Sequence, residues 1–81
     1  MRFVWPESVR SELRGIDREA ARRILAALTR YGESGEGDVK ALAGEWLGFT
    51  RLRVGDYRVI FSVAPEAITG GRARHRSDVY R

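Results

Sequence analysis

The C-terminal half of the chain carries an excess of arginine. Residues 46–81 contain seven arginines and three acidic residues, whereas residues 1–45 contain eight basic and eight acidic side chains, so the formal net charge of +4 lies in the second half. The planar guanidinium group binds phosphate oxygens through two N–H groups at once and keeps its charge at any relevant pH. The composition therefore predicts a polyanion-binding surface in this half of the chain.

Three of these arginines fall on a predicted β-hairpin. Residues 49–54 and 57–63 alternate between apolar and polar side chains, and a two-residue turn that contains glycine joins them. Pairing across this turn places Arg53 opposite Arg58, on the face that also carries Arg51. Like charges at opposed positions destabilise a sheet unless an anion lies between them. The other face is predicted to be buried, and it comprises Thr50, Leu52, Val54, Tyr57, Val59, Phe61 and Val63.

A second run of arginines, at Arg72, Arg74 and Arg76, alternates along the predicted last strand. If this strand pairs with the hairpin, both runs present guanidinium groups to one concavity that could hold phosphate. Phe49 and Tyr80 offer rings on which the bases of single-stranded RNA can stack. The candidate RNA-binding residues are Phe49, Arg53, Arg72, Arg74, His75 and Arg81. The alternative is a basic sheet face that is only solvated.

Helices must cover the apolar face of this sheet. The sequence predicts a short strand at 2–5, a helix at 7–14, and an amphipathic helix that begins after the N-cap Asp17 and ends at Gly32. Residues 39–42 are predicted to form a packed turn before the hairpin.

The last strand is predicted to run over 67–76, with a bulge or a mobile stretch at Thr69-Gly70-Gly71. The resulting order is β-α-α-β-β-β, in a single domain over residues 1–81. This is an α+β architecture, in which two helices cover one face of an antiparallel meander and leave the arginine face open.

Composition excludes several classes of site. The chain has no cysteine and one histidine, which excludes disulfides and argues against a zinc site, so no metal or cofactor is predicted. No segment reaches the length of a membrane span or of a signal-peptide core, and a cytoplasmic location is expected.

Two segments resemble a known superfamily. Residues 51–61 read RLRVGDYRVIF and residues 75–81 read HRSDVYR, and together they resemble the RelE/ParE superfamily of bacterial toxins. The likeness covers nearly the whole chain. It implies a toxin that is neutralised by a cognate acidic antitoxin. In the RelE branch, which the motifs favour, it implies binding at the ribosome and cleavage of messenger RNA through the 2′-hydroxyl group next to the scissile phosphate.

The resemblance also implies catalytic residues. Arg58 matches the sheet arginine of the RNA-cleaving branch, Tyr80 its C-terminal tyrosine, Arg76 or less closely Arg74 its last-strand arginine, and Arg51 a position often held by lysine. The predicted catalytic set is Arg51, Arg58, Arg76 and Tyr80. The chain departs from the pattern at Phe49, which stands near a second lysine of well-known members, and it ends one residue after Tyr80.

Proton transfer has few candidates among these residues. Arginine does not act as a base, whereas a phenol beside guanidinium groups ionises more readily, so Tyr80 is the candidate base. His75 is the other titratable group, but strict strand alternation points it away from Arg74 and Arg76.

Two other functions are compatible with these residues. One is a DNA gyrase inhibitor of the ParE branch, and the other is an antitoxin-binding module that has lost its catalytic activity. The joint presence of Arg58, Arg76 and Tyr80 favours the ribonuclease over both.

Overall fold

The predicted hairpin and its register are confirmed. In the computed structural model, which describes residues 2–80, Arg53 pairs with Arg58 across the turn. Gly55 has a φ of 58°, a left-handed conformation that a two-residue hairpin turn requires and glycine adopts without strain. The elements in chain order are β1 (Arg2–Val4), α1 (Glu7–Arg14), α2 (Arg18–Ser34), β2 (Val39–Ala41), a 3-10 helix (Gly44–Trp46), β3 (Thr50–Val54), β4 (Tyr57–Ala64) and β5 (Ala67–His75).

The five strands form one mixed sheet in the order β1-β5-β4-β3-β2. β1 runs parallel to β5, and the other neighbours are antiparallel. The α+β class and the β3-β4-β5 meander are confirmed. The predicted turn at 39–42 is wrong, because Val39–Ala41 pairs with β3 as an edge strand, and three residues are too few to show a period of two.

The start of α2 is confirmed and its predicted end is wrong. The Asp17 side chain accepts a hydrogen bond from the backbone N–H of Ala20 at 3.2 Å, as an N-cap does. The helix continues past Gly32 to Ser34, and Gly35 closes it in a left-handed conformation. Gly32 has another purpose. A Cβ atom there would lie 2.9 Å from Cζ of Phe3, so glycine lets β1 approach the helix.

The main core lies between the helices and one face of the sheet. Leu52, Val59 and Phe61 from the predicted apolar face pack there with Ile24 and Leu28 of α2. The prediction that Val63 is buried is wrong, because its side chain is 49% exposed. β3 pairs with β4 no further than Phe61, so no strand flanks Val63 on that side.

The predicted irregularity at Thr69-Gly70-Gly71 is a β-bulge. Phe61 pairs with Gly70 and Ile60 pairs with Arg72, which leaves Gly71 as the extra residue. Within residues 2–80, no helix is long and apolar enough to cross a membrane.

Candidate functional site

The four predicted catalytic residues line one open cavity. It has a volume of about 450 Å³ and lies at the ends of β4 and β5, on the sheet face opposite the helices. We call it the arginine pocket, and its lining residues are Arg51, Arg58, His75, Arg76, Ser77, Val79 and Tyr80. None of the described residues that line the pocket is acidic, which favours an anionic ligand.

Arg58 is held over the hairpin turn at one side of the pocket. Its Nη1 donates to the carbonyl oxygens of Gly55 at 2.9 Å and Tyr57 at 3.0 Å. Burial, followed by the charges of neighbouring arginines, lowers the pKa of the Arg58 guanidinium below its ordinary value. These neighbours are Arg53, Arg51 and Arg76. The shift means that the local environment opposes this charge, which a bound anion would stabilise.

Arg51 is largely enclosed, with 20% of its side chain exposed. Its Nη2 lies 3.4 Å from Oδ1 of Asp38, in the loop before β2. Its Nε is buried and has no hydrogen-bond partner among the described residues. A buried unpaired donor is costly, so Arg51 has hydrogen-bonding capacity that its protein neighbours leave unused.

Arg76 lies just after β5 and is tied down by its backbone. Its N–H donates to the carbonyl oxygen of Asp56 at 2.8 Å. Its Nε is 3.8 Å from Oδ1 of Asp56, and both side chains are largely exposed. Exposed pairs of this kind contribute little to stability, so the guanidinium of Arg76 can move to a ligand at small cost.

His75 lines the arginine pocket, and its ring also stands edge-to-face against Tyr57, its cross-strand partner, at 5.6 Å between centroids. The regular strand ends at His75, so Arg76 belongs to a turn and strict alternation no longer applies. The Nδ1 atom of His75 accepts the backbone N–H of Ser77 at 3.2 Å and lies 2.9 Å from its Oγ. Accepting this N–H leaves the proton of the neutral imidazole on Nε2. In this arrangement His75 is a hydrogen-bond donor rather than a base.

Tyr80 lies at the rim with 55% of its surface exposed. The preceding Val79 is only 1% exposed, and its carbonyl oxygen accepts a 2.7 Å hydrogen bond from Nη1 of Arg72. The chain is therefore anchored immediately before the tyrosine.

The prediction that Arg72, Arg74 and Arg76 share one concavity is wrong. Arg72 turns to Val79 and to the ring of Trp46, whose centroid is 4.8 Å from its guanidinium carbon. The Nε of Arg74 pairs with the carboxylate of Glu12 on α1. Of the three, only Arg76 lines the arginine pocket.

The edge of β5 explains the position of Arg74. β1 pairs with β5 only over Ala67–Thr69, so the backbone N–H of Ala73 faces an open edge. Oε1 of Glu12 accepts that N–H at 3.1 Å and brings its carboxylate within reach of Arg74.

The remaining predicted RNA-binding residues lie outside the pocket lining. Arg53 is exposed on the same face, opposite Arg58. Phe49 packs its ring edge-to-face on Trp46, at 5.4 Å between centroids. The ring also lies close to Gly71, where an added Cβ atom would be 3.1 Å from it. This packing covers part of the face predicted to be open. Arg81 lies outside the described residues.

Three partners of site residues were not predicted: Asp38, Glu12 and Ser77. Ser77 follows His75 by two positions, a spacing at which a short polar side chain commonly bonds a neighbouring backbone or side chain, so a local signal existed. Asp38 and Glu12 are distant in sequence from the arginines that they contact, and no local pattern identifies them.

Comparison with known proteins rests on structure. No protein-family model matches the sequence, and no curated protein matches it. The archaeal RelE-RelB complex from Pyrococcus horikoshii contains a chain with 26% identity and a TM-score of 0.76, over 96% of this chain and 97% of that one. The RelB-RelE antitoxin-toxin complex from Methanococcus jannaschii gives 22% identity and a TM-score of 0.76, over 95% and 94%.

A YoeB-YefM toxin-antitoxin complex from Staphylococcus aureus also has a similar chain, with 13% identity and a TM-score of 0.77, over 93% of this chain and 95% of that one. All three matches extend over nearly the full length of both chains. The likeness predicted from residues 51–61 and 75–81 is thus matched by the three-dimensional structure: the chain has the fold of the RelE-like toxins.

Proposed function

We propose that this protein is the toxin of a type II toxin-antitoxin system and that it cleaves messenger RNA on the ribosome. The observation that carries the proposal is the grouping of Arg51, Arg58, Arg76 and Tyr80 around one cavity, where no acidic residue between positions 2 and 80 joins the lining. A ribosomal target would put this activity in the cytoplasm.

The chemistry of the proposed reaction is a transfer at phosphorus. The 2′-oxygen attacks the adjacent phosphorus, the bond from phosphorus to the 5′-oxygen breaks, and the products are a 2′,3′-cyclic phosphate and a 5′-hydroxyl end. Tyr80, reacting as the phenolate, takes the proton of the 2′-hydroxyl group and becomes the phenol. The leaving 5′-oxygen takes a proton from water.

The arginines stabilise the charge that develops on the phosphate. Arg51 and Arg58 approach from β3 and β4, and Arg76 from the turn after β5, so a phosphate in the pocket is contacted from separate elements. Such preorganised donors act where charge develops, in the manner of phosphoryl-transfer sites.

The state of the two candidate bases supports a need for the ribosome. Tyr80 is exposed at the rim, and His75 uses its Nδ1 lone pair on Ser77, so the isolated protein holds neither residue in place against a 2′-hydroxyl group. Alignment of the 2′-hydroxyl group by the ribosome would then contribute much of the rate. We expect the purified protein to cut free RNA weakly.

The proposed partner is an acidic antitoxin. The chain has a net charge of +4, and the similar structures are complexes of toxins with antitoxins. An antitoxin that masks the arginine pocket with carboxylates would bind more weakly as salt rises. Affinity that does not change between low and high salt would contradict neutralisation by charge masking.

Induction in a bacterial host, with the ends of cellular RNA mapped, tests the function. We expect translation to stop and messenger RNA to be cut within translated codons, leaving 2′,3′-cyclic phosphate or 3′-phosphate ends. Arg58→Ala should relieve the growth arrest, while Arg23→Ala on the exposed face of α2 should not. Intact messenger RNA together with trapped gyrase-DNA complexes would overturn the proposal in favour of gyrase inhibition.

A further inference from the structure

A second apolar cluster lies on the sheet face opposite the main core. Ile60 and Val79 are 0% and 1% exposed, yet neither belongs to the core between the sheet and the helices. Ile60 pairs with Arg51 and with Arg72, which places all three on the arginine face. We call this the outer cluster, and it comprises Trp46, Phe49, Ile60, Arg72 and Val79.

The outer cluster links the 3-10 helix to the C-terminal segment. Trp46 stands edge-to-face against Phe49, and Phe49 closes on the bulge residue Gly71. The guanidinium of Arg72 lies 4.8 Å from the centroid of the Trp46 ring, which is a cation-π distance. From that position its Nη1 donates to the Val79 carbonyl oxygen at 2.7 Å. The aromatic pair thus supports a side chain that holds the segment next to Tyr80.

We propose that Arg72, supported by Trp46, is a positioning residue that fixes Tyr80 at the rim of the arginine pocket. The inference rests on the proposed function, in which Tyr80 is the base. Two anchors precede Tyr80: the buried side chain of Val79 and the carbonyl oxygen that Arg72 holds. With these in place, little more than the bonds of Tyr80 itself needs to be ordered when RNA binds. Because folding already orders the segment before Tyr80, less conformational entropy is lost when the reactive geometry forms.

This role differs measurably from that of a phosphate ligand. An arginine that contacts phosphate contributes to RNA affinity and to the salt dependence of binding. An arginine that holds Val79 acts on cleavage through Tyr80, so we expect its loss to lower the cleavage rate and to leave affinity unchanged.

Arg72→Lys is the informative variant. Lysine keeps the positive charge and the aliphatic stem, but it lacks the planar fork that stacks on Trp46 and reaches Val79 at once. Arg23→Lys on α2 is the matched control, because it makes the same exchange far from the pocket. Trp46→Phe is a second variant, which keeps an aromatic ring against Phe49 and reduces the surface under Arg72.

The first measurement is single-turnover cleavage of ribosome-bound messenger RNA, together with the affinity for a short RNA oligonucleotide. Arg72→Lys should lower the cleavage rate about tenfold, the effect of losing roughly one hydrogen bond, at unchanged affinity. In a Tyr80→Phe background the same exchange should cause no further loss, because both changes act on one step. Equal losses in both backgrounds, or a loss of affinity, would overturn the proposal.

The second measurement does not depend on activity. The heteronuclear NOE of the Tyr80 amide should fall in Arg72→Lys, fall less in Trp46→Phe, and stay unchanged in Arg23→Lys. An unchanged NOE in Arg72→Lys would overturn the anchoring of Tyr80 by Arg72. If the parent protein cleaves no RNA, the proposed function fails, and this NOE still decides whether Arg72 orders the segment.

Discussion

Arg53 and Arg58 lie directly opposite each other on β3 and β4, next to the arginine pocket. Like charges at such positions destabilise a sheet. Burial lowers the pKa of Arg58 most, and among the neighbouring charges Arg53 lowers it most. The repulsion on Arg58 is partly offset, because its guanidinium donates to the carbonyl oxygens of Gly55 and Tyr57. The pair costs the unliganded protein stability, and a polyanion bound across it would remove that cost.

Arg53→Gln should therefore stabilise the free protein while it weakens RNA binding. We expect the free energy of unfolding to rise by about 0.2–1 kcal/mol at low salt, and the gain to shrink as salt screens the repulsion. The slope of log affinity against log salt should decrease by about 0.7 for single-stranded RNA. Urea denaturation and RNA titrations over a salt series measure both effects. Arg22→Gln on α2 is the control and should change stability by less than about 0.5 kcal/mol. A destabilised Arg53→Gln protein would contradict the repulsion argument.

Arg74 and Arg76 should separate stability from activity. Arg74 pairs with Glu12, and Arg76 lines the pocket with an exposed, long contact to Asp56. Arg74→Ala should destabilise the protein by about 1–3 kcal/mol, because it leaves the half-buried Glu12 carboxylate without its charged partner, and should leave cleavage per folded molecule nearly unchanged. Arg76→Ala should leave the stability nearly unchanged and lower the cleavage. Thermal unfolding combined with ribosome-dependent cleavage distinguishes them, and an inactive but stable Arg74→Ala protein would place Arg74 in the site.

Tyr80→Phe should remove the base and keep the ring. Cleavage on the ribosome should fall roughly 100-fold or more, the usual effect of losing a general base. Affinity for RNA, which depends on the arginines, should stay within a factor of about two, because stacking surface and charge are preserved. Single-turnover cleavage and fluorescence anisotropy give the two values. If Tyr80→Phe cleaves like the parent, another group takes the proton.

Gly70 should resist substitution because of what packs against it. A Cβ atom there would lie 2.9 Å from Cε3 of Trp5 and 3.3 Å from Cγ1 of Val9, both near the core. Gly70→Ala should cost about 1–3 kcal/mol of unfolding free energy, as overpacking does. Gly15→Ala is the matched control, since its Cβ would meet only Glu12 and Ser11 backbone oxygens at ordinary distances. We expect the free energy of unfolding of Gly15→Ala, measured by urea denaturation, to lie within about 0.5 kcal/mol of that of the parent.

Glu7 should give a small pH-dependent stabilisation of α1. Its hydrogen bond to Arg14, then the charge of Arg14 and finally that of Arg10 hold the pKa of the Glu7 carboxyl below its ordinary value, against a small opposing effect of burial. A carboxyl whose pKa is lowered by folding stabilises the protein above its unfolded pKa, and the effect is lost as pH falls through the folded pKa. Glu7→Gln should thus be slightly less stable than the parent at pH 7, and the two proteins should be equally stable at about pH 2. A difference that persists in acid would point to packing rather than charge.

The sequence alone determined those features whose signals are local. Alternating side chains and a glycine turn specify the β3-β4 hairpin, and with it the meeting of Arg53 and Arg58. The helix bounds Glu7–Arg14 and the N-cap Asp17 were also predicted, because proline, glycine and capping residues act within one turn. The motifs at 51–61 and 75–81 predicted the RelE-like fold and nominated Arg51, Arg58, Arg76 and Tyr80, which the structure brings to one cavity.

Only the tertiary structure decided which partner each arginine takes. The same residue type recurs at the same spacing at Arg72, Arg74 and Arg76, yet the three side chains have different surroundings. Arg72 lies over a tryptophan ring, Arg74 pairs with a carboxylate of α1, and Arg76 lines the open pocket. Glu12 contacts Arg74 although 62 positions separate them in sequence. The strand β2 forms because its three residues pair with the edge of β3. Periodicity specifies which way a side chain leaves the backbone. The free energy of each side chain then depends on charges and surfaces that folding brings from distant parts of the chain, which no local pattern contains.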